Sequence, residues 1–329
     1  MNRIMSSPSI LIPIKVADRY GYCDAEGRLV ITPQFEKAFC FSGALAAVCR
    51  EGKYGYINSC GDLVISCRFD EASRFEDGFA PVCLDGRYGL LTPLGQFAVP
   101  PEYDAISGFS QGMALVRVED LYGFINWRNE LVIEAAFEDA SGFDVLGWAC
   151  VRRDAKYYYL DVFGKVVMEV PYDHADPFSE DLARVSCCGR IGYINRFGDV
   201  VIAFEYDDGV ANSENLIGVC RESKWGFLDS EGRVVIDRLF ENVTPFSSGL
   251  ASVCVAGKWG AIQRNGQVVM PVEFDEAIEE YGLFLRSMKG GVAQWFLRGK
   301  KGPLVVLPIE NGGVDNRPIE GTQQLWVPH

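Results

Sequence analysis

Histidine is nearly absent from this chain, with only His174 and His329, and none of its eleven cysteines stands in a CxxC pair. Nucleophilic catalysis needs a base beside its serine or cysteine, so few positions could supply one. An odd number of cysteines without paired spacing fits reduced thiols better than a disulfide framework. Long apolar runs are missing as well. No stretch reaches the roughly 18 residues of a membrane-spanning helix, and the segment Ile10 to Val16 is broken by Pro13 and Lys15, which makes a poor secretory signal. We therefore expect a cytoplasmic chain. Positive charge is also scarce, with 31 Lys and Arg against 45 Asp and Glu and a net charge of −14. The basic residues do not cluster, so nucleic acid and anionic membranes would be repelled. No glycine-rich segment has phosphate-cradling spacing, and Gly257-Lys258 sits in a hairpin turn.

What the chain has in abundance is self-similarity. Aromatic-glycine pairs recur as Tyr20-Gly21, Tyr54-Gly55, Tyr88-Gly89, Tyr122-Gly123, Trp225-Gly226 and Trp259-Gly260, and the degenerate pairs Tyr157-Tyr158 and Ile191-Gly192 fill the gap. Successive starts are 34, 34, 34, 35, 34, 34 and 34 residues apart, with the single insertion near Leu146-Gly147. A fixed period of this length marks a repeat architecture.

Each copy runs through the same chemistry. A short β-like run such as Tyr54 to Asn58 leads into a turn, Asn58-Ser-Cys-Gly61 or Asp229-Ser-Glu-Gly232, in which Asn or Asp starts the bend and Gly takes the left-handed conformation. In the fourth copy Asn129 replaces that glycine, which points to a backbone demand. A second strand follows, then an aromatic-acidic pair, a Phe-x-x-Gly turn such as Phe75-Glu-Asp-Gly78, and a last strand such as Phe79 to Cys83. Four strands and their loops account for the period.

This pattern of Trp/Tyr-Gly, Asn/Asp-x-x-Gly, Phe/Tyr-Asp/Glu and Phe-Ser-x-Gly-Leu-Ala-x-Val resembles the bacterial WG repeat family, over about Tyr20 to Leu307. The resemblance implies an all-β interaction module. Tyr158 in place of Gly, Asn212 in place of Phe and Glu280 in the same slot depart from it, and these copies are expected to pack less regularly.

The expected fold is all-β, a tandem array of about eight 34-residue antiparallel meanders. Residues 1–19 form an N-terminal strand or cap, 20–294 the eight repeats with starts near 20, 54, 88, 122, 157, 191, 225 and 259, 295–310 a partial ninth repeat, and 311–329 a polar tail. Leu11 to Lys15 has the register of a last strand, and Trp295 to Val306 that of a first hairpin. Such complementary fragments could zip the final blade of a closed propeller. They could equally cap an open β-superhelix, which we place first because the copies are short for propeller blades.

Few residues carry chemistry. Cys49, Cys83, Cys220 and Cys254, with Cys150, recur at the end of the last strand, as a packing slot would. Cys187-Cys188 falls off that register, and adjacent cysteines need partners elsewhere to hold a metal. His174 takes a slot filled elsewhere by Lys37, Glu71, Asp139 and Glu276, as solvated surface would. No catalytic residue, cofactor or metal is expected. Glu36, Asp70, Asp104, Glu138, Asp173, Asp207, Glu241 and Asp275, however, share one place in their copies, each after an aromatic. Each carboxylate would either accept backbone N–H bonds at a bend in its own repeat or join a solvated stripe that binds a basic peptide, a polyamine or a divalent ion. The variable loops Arg50 to Lys53, Leu84 to Arg87, Arg152 to Lys156 and Ala256 to Lys258 form a second candidate surface. We expect a non-catalytic scaffold for a protein or peptide, a basic one if the acidic stripe is used. The alternative is a carbohydrate-binding or glycan-hydrolysing repeat protein, whose exposed aromatics would be sought among Trp127, Trp148 and Trp326.

Overall fold

The computed structural model describes residues 11–24, 27–281, 284–290, 292–297 and 305–306. Trp326 and the tail from Asn311 onward lie outside the described residues. All regular structure among the described residues is β, arranged as one three-stranded and eight four-stranded sheets, each an antiparallel meander.

The first sheet contains β1 (Ile12–Val16), β2 (Arg19–Cys23) and β3 (Leu29–Phe35); the second contains β4 (Lys37–Ala38), β5 (Ala46–Arg50), β6 (Lys53–Ile57) and β7 (Leu63–Phe69). The third to ninth sheets repeat the order of the second: a first strand that is short in all but the fourth sheet, two central strands and an outer one, which is the longest except in the fifth and ninth sheets. The sequence period and the sheet are therefore out of phase. A copy that begins at an aromatic-glycine pair gives its first two strands to one sheet and its last two to the next, so eight copies and two terminal fragments yield nine sheets. The fragments behave accordingly. β1 pairs with β2 at one end, whereas Val292–Leu297 and Val305–Val306 complete the ninth sheet at the other. Among the described residues no ladder joins the first sheet to the ninth, so the two fragments do not zip a shared blade.

Hydrophobic packing occurs between successive sheets. Tyr54, Tyr56 and Phe69 of the second sheet pack with Ala72, Phe75, Val82 and Leu91 of the third. One aromatic contact recurs at a fixed offset: Tyr22 meets Phe41, Tyr56 meets Phe75, Phe124 meets Phe143, Tyr159 meets Phe178 and Phe227 meets Phe246, with ring centroids 4.6–5.1 Å apart. Asn212 interrupts this series. It is buried where the others have a ring, and its side-chain oxygen has no hydrogen-bond partner.

The glycine of the aromatic-glycine pair is explained by the strand beside it. Tyr54 pairs with Phe69 and Tyr56 with Ile65, so Ser66, Cys67 and Arg68 bulge opposite Gly55 alone. A Cβ on Gly55 would stand 2.5 Å from the Ile65 carbonyl oxygen and 2.7 Å from the Cys67 nitrogen. In the fifth sheet, where Tyr158 replaces the glycine, Tyr157, Tyr158 and Tyr159 pair in unbroken register with Val170, Glu169 and Met168. Contrary to expectation, the ladder there is locally more regular, because without the bulge nothing crowds a side chain.

Candidate functional site

Each residue of the acidic row stands on the crossover between two sheets, after the outer strand of one and before the first strand of the next. The backbone reading agrees with the geometry at six of the eight positions. Glu36 accepts the Gly52 amide at 2.9 Å, Asp173 that of Cys188 at 2.7 Å, Asp207 that of Glu222 at 2.7 Å, Glu241 that of Gly257 at 2.9 Å, Asp275 that of Gly290 at 2.6 Å, and Asp70 makes a longer bond of 3.4 Å to Gly86. Apart from Gly290, the donors belong to two-residue hairpin turns whose residues both have positive φ, such as Glu51 (55°) and Gly52 (71°). This is the turn that matches the twist of its flanking strands.

A second partner comes from the preceding sheet. Arg19, Lys53, Arg87, Arg190 and Lys258, each 17 residues earlier, pair with Glu36, Asp70, Asp104, Asp207 and Asp275. Glu138, whose counterpart at that offset is Leu121, pairs with Arg152 at 3.5 Å. Glu36, Asp70, Asp207 and Asp275 thus staple consecutive sheets and cap a turn together. Amide and ammonium donors favour the charged form. The Gly52 amide foremost holds Glu36 below its ordinary value, the Lys53 ammonium does so for Asp70, and the Gly257 amide for Glu241. Where side-chain exposure is resolved for the paired members it is 24–44%, so the row stays partly open to solvent with most of its charge answered internally.

The cysteine slot is buried at Cys49, Cys83, Cys220 and Cys254, each opposite the aromatic of its aromatic-glycine pair, and desolvation pushes the Cys49 thiol up to about 11. Contrary to expectation, Cys150 is not a fifth member: it is buried opposite Tyr159, and Arg152 takes the slot opposite Tyr157. His174 differs from the solvated surface residue expected. It is half-buried, its two ring nitrogens lie 2.8 Å from the Tyr157 hydroxyl and 2.8 Å from Asp176, and Asp176 is in turn held by Arg184. Trp148 is not an exposed platform either. It packs on Phe178 and beneath the guanidinium of Arg196, which also pairs with Asp144 at 2.8 Å.

Exposed apolar residues gather elsewhere, at the tips of the turns between the second central strand and the outer strand. Leu94, Trp127, Phe163 and Phe197 are 84%, 65%, 83% and 89% exposed, and they occupy the third, fourth, fifth and sixth sheets in succession. The second, seventh and eighth sheets carry Ser59-Cys60, Ser230-Glu231 and Arg264-Asn265 at these tips. Outer-strand residues just after the tips, Leu131, Val132, Val166, Val167 and Val200, are exposed too, as are Val145 and Leu146 beside the inserted position. Of the tips, sequence reasoning singled out only Trp127. The signal was present in Leu94, Phe163 and Phe197, which take the turn position held elsewhere by Glu26, Cys60, Arg128, Glu231 and Asn265. A cavity of about 50 Å³ beside Thr244, Ser247, Ser252 and Ile278 is far below the roughly 300–1,000 Å³ of ordinary ligand pockets.

The profile of the WG containing repeat matches seven times in succession, over residues 20–54, 54–88, 88–122, 122–157, 159–187, 191–225 and 225–259. The chain belongs to the WG repeat family. Beyond the seven matches, the strands Lys258–Gln263 and Val268–Phe274 pair as the corresponding strands of the matched copies do. No curated protein is similar in sequence at a significant level. Among solved structures, a eukaryotic initiation factor is similar in fold at 12% identity and a TM-score of 0.62, covering 94% of this chain and 100% of its own. Hsv2 of Kluyveromyces lactis matches at 10% identity and a TM-score of 0.44 over 70% of this chain and 94% of its own; the dihydro-heme d1 dehydrogenase NirN matches at 12% and 0.48 over 95% and 76%. The initiation factor shows a shared fold for these WG repeats and nothing about activity.

Proposed function

We propose that this WG repeat protein is a non-catalytic scaffold that binds a protein or peptide segment carrying apolar side chains among basic ones. The observation that carries the reading is the run of solvated apolar tips Leu94, Trp127, Phe163 and Phe197 on four consecutive sheets. Exposed apolar surface is costly in water unless a partner covers it, and aromatic residues are the usual anchors of interfaces. One anchor per sheet is a multivalent layout, suited to an extended partner. The net charge of −14 disfavours a second copy of this chain and favours a basic partner. The acidic row contributes field rather than contacts in this reading, since its carboxylates are engaged by turns and cations.

The glycan reading draws no general acid from Glu36, Asp70 or Glu241, which are held below their ordinary values by their donors. Glu71 is displaced upward by burial, and it accepts a hydrogen bond from Tyr88.

The test is selection from a random peptide library on the full chain, repeated on the variant Trp127→Ser, Phe163→Ser, Phe197→Ser. These side chains are solvated, so the variant should fold. Enriched peptides should combine aromatic or aliphatic residues with Lys or Arg, bind more weakly in salt, and lose at least about tenfold in affinity on the variant, because truncating a central aromatic anchor costs about 2 kcal/mol or more. Peptides that bind both proteins equally would move the site away from the tips. Glycans captured by the wild type and not by the variant would replace the protein-binding reading.

A further inference from the structure

The hairpin turn of the sixth sheet differs from its counterparts in chemistry. Its central strands, Leu182–Cys187 and Arg190–Asn195, are joined by Cys188-Gly189, both with positive φ. Where Cys188 stands, the equivalent turns place Glu51, Asp85, Glu119, Asp154, Glu222 and Ala256. Cys187 is half-buried and Cys188 exposed, and their Sγ atoms are 3.8 Å apart. Asp173, the acidic-row residue of this sheet, has a carboxylate oxygen near both, and one ligand atom from each of the three lies within 4.8 Å of the others.

Asp173 is also the row member whose cation has been drawn away. The residue 17 positions earlier, Lys156, pairs with Glu169 at 3.3 Å instead. Asp173 accepts the Cys188 amide through Oδ2, and no Lys or Arg pairs with it among the described residues. An anionic group that has a cation at five equivalent positions here faces two thiols.

We propose that Cys187, Cys188 and Asp173 form an exchangeable site for a thiophilic divalent cation of the zinc and cadmium class. Two zinc–sulfur bonds of about 2.3 Å at the tetrahedral angle span about 3.8 Å between sulfurs, which is the separation already present. Such an ion needs no movement of one sulfur relative to the other. The carboxylate supplies a third donor, and solvent the fourth, since the turn is open to water. The ion also delivers to Asp173 the positive charge that Arg or Lys delivers elsewhere in the row. Binding releases the two thiol protons to solvent, with no change in oxidation state.

Cadmium titration of the reduced full chain, followed by near-ultraviolet thiolate-to-cadmium absorption and calorimetry, tests this site. The wild type should bind one more cadmium ion, with two thiolates, than the variant Cys187→Ser, Cys188→Ser. Asp173→Asn should weaken that ion by about tenfold or more, since loss of even an outer-shell partner costs as much. Cys60→Ser, at an exposed cysteine outside the cluster, should leave it unchanged. Equal stoichiometry and affinity in the wild type and the double-serine variant would overturn the site. Unchanged affinity in Asp173→Asn would overturn the three-donor assignment.

Discussion

At the scale of single residues, the repeated positions divide into those set by backbone geometry and those set by a partner. Gly55 belongs to the first kind. Gly55→Ala should cost about 1–3 kcal/mol in chemical denaturation, as overpacking does, because its Cβ would meet the bulged backbone of β7. Tyr158→Gly should not stabilise the fifth sheet, which has no bulge at that point. Hairpin turns give the opposite sign. Ala155 and Ser223 hold φ of 60° and 59°, which an L side chain resists, so Ala155→Gly and Ser223→Gly should each raise stability by up to about 1 kcal/mol, measured by urea unfolding. The carboxylates are of the second kind. Glu36, Asp70 and Glu241 have lowered folded values, so their contribution is complete above the unfolded carboxylate value of about 4 and is lost as pH falls through the lowered ones. Asp70→Asn should therefore be less stable than wild type at pH 7, and the difference should vanish in acid unfolding below the lowered value. The turn-capping role of the row was legible in the sequence, since a fixed Asp/Glu slot at a bend suggests it. The cation 17 residues earlier was not, because it acts across two sheets whose juxtaposition no single copy reveals.

At the scale of elements, adjacent sheets are joined by contacts that recur at the repeat spacing. Ser110, Ser179 and Ser213 donate to the carbonyls of Phe143, Asn212 and Phe246 at 2.6–2.7 Å, each 33 residues on. Tyr22, Tyr56, Tyr159 and Tyr193 donate to carbonyls 17 residues on, at 2.6–2.8 Å. Asn212 is the weak point of this lattice. Three other junctions place a phenylalanine against the equivalent tyrosine, so Asn212→Phe should restore the ring contact against Tyr193 and remove a buried unpaired oxygen. A gain of about 1–3 kcal/mol in denaturant unfolding is expected. That Asn212 departs from its slot was readable, but the unmet polar atom required the structure. The strands themselves were readable from alternation and turn residues. Their assignment to sheets was not, because self-similarity fixes a period and leaves the phase of the sheets within it open.

At the scale of the whole molecule, hydrophobic clusters and staples run from one sheet to the next, as in linear repeat proteins whose stability is a sum of units and neighbour interfaces. Deleting the 34 residues 191–224 removes one copy and rejoins half-sheets of matching type. The shortened chain should remain folded, with an all-β circular dichroism spectrum and lower stability. Deleting 17 residues from the same point should abolish cooperative unfolding, since it joins halves that cannot pair. The apolar tips belong to this scale as well, because four solvated side chains become a surface only when four sheets stand in order. All but Trp127 were missed in the sequence since each tip alone is an ordinary exposed residue.

The offset between copy and sheet also bears on how such a molecule could lengthen. A duplicated stretch of one period, wherever it starts, inserts two complementary halves, and each finds its mate in the neighbour already there. Growth or loss by one unit leaves no orphan strand and keeps the same two ends. A lineage could change the span of the array, and the number of anchors along it, through single recombination events that pass through no unfolded intermediate form.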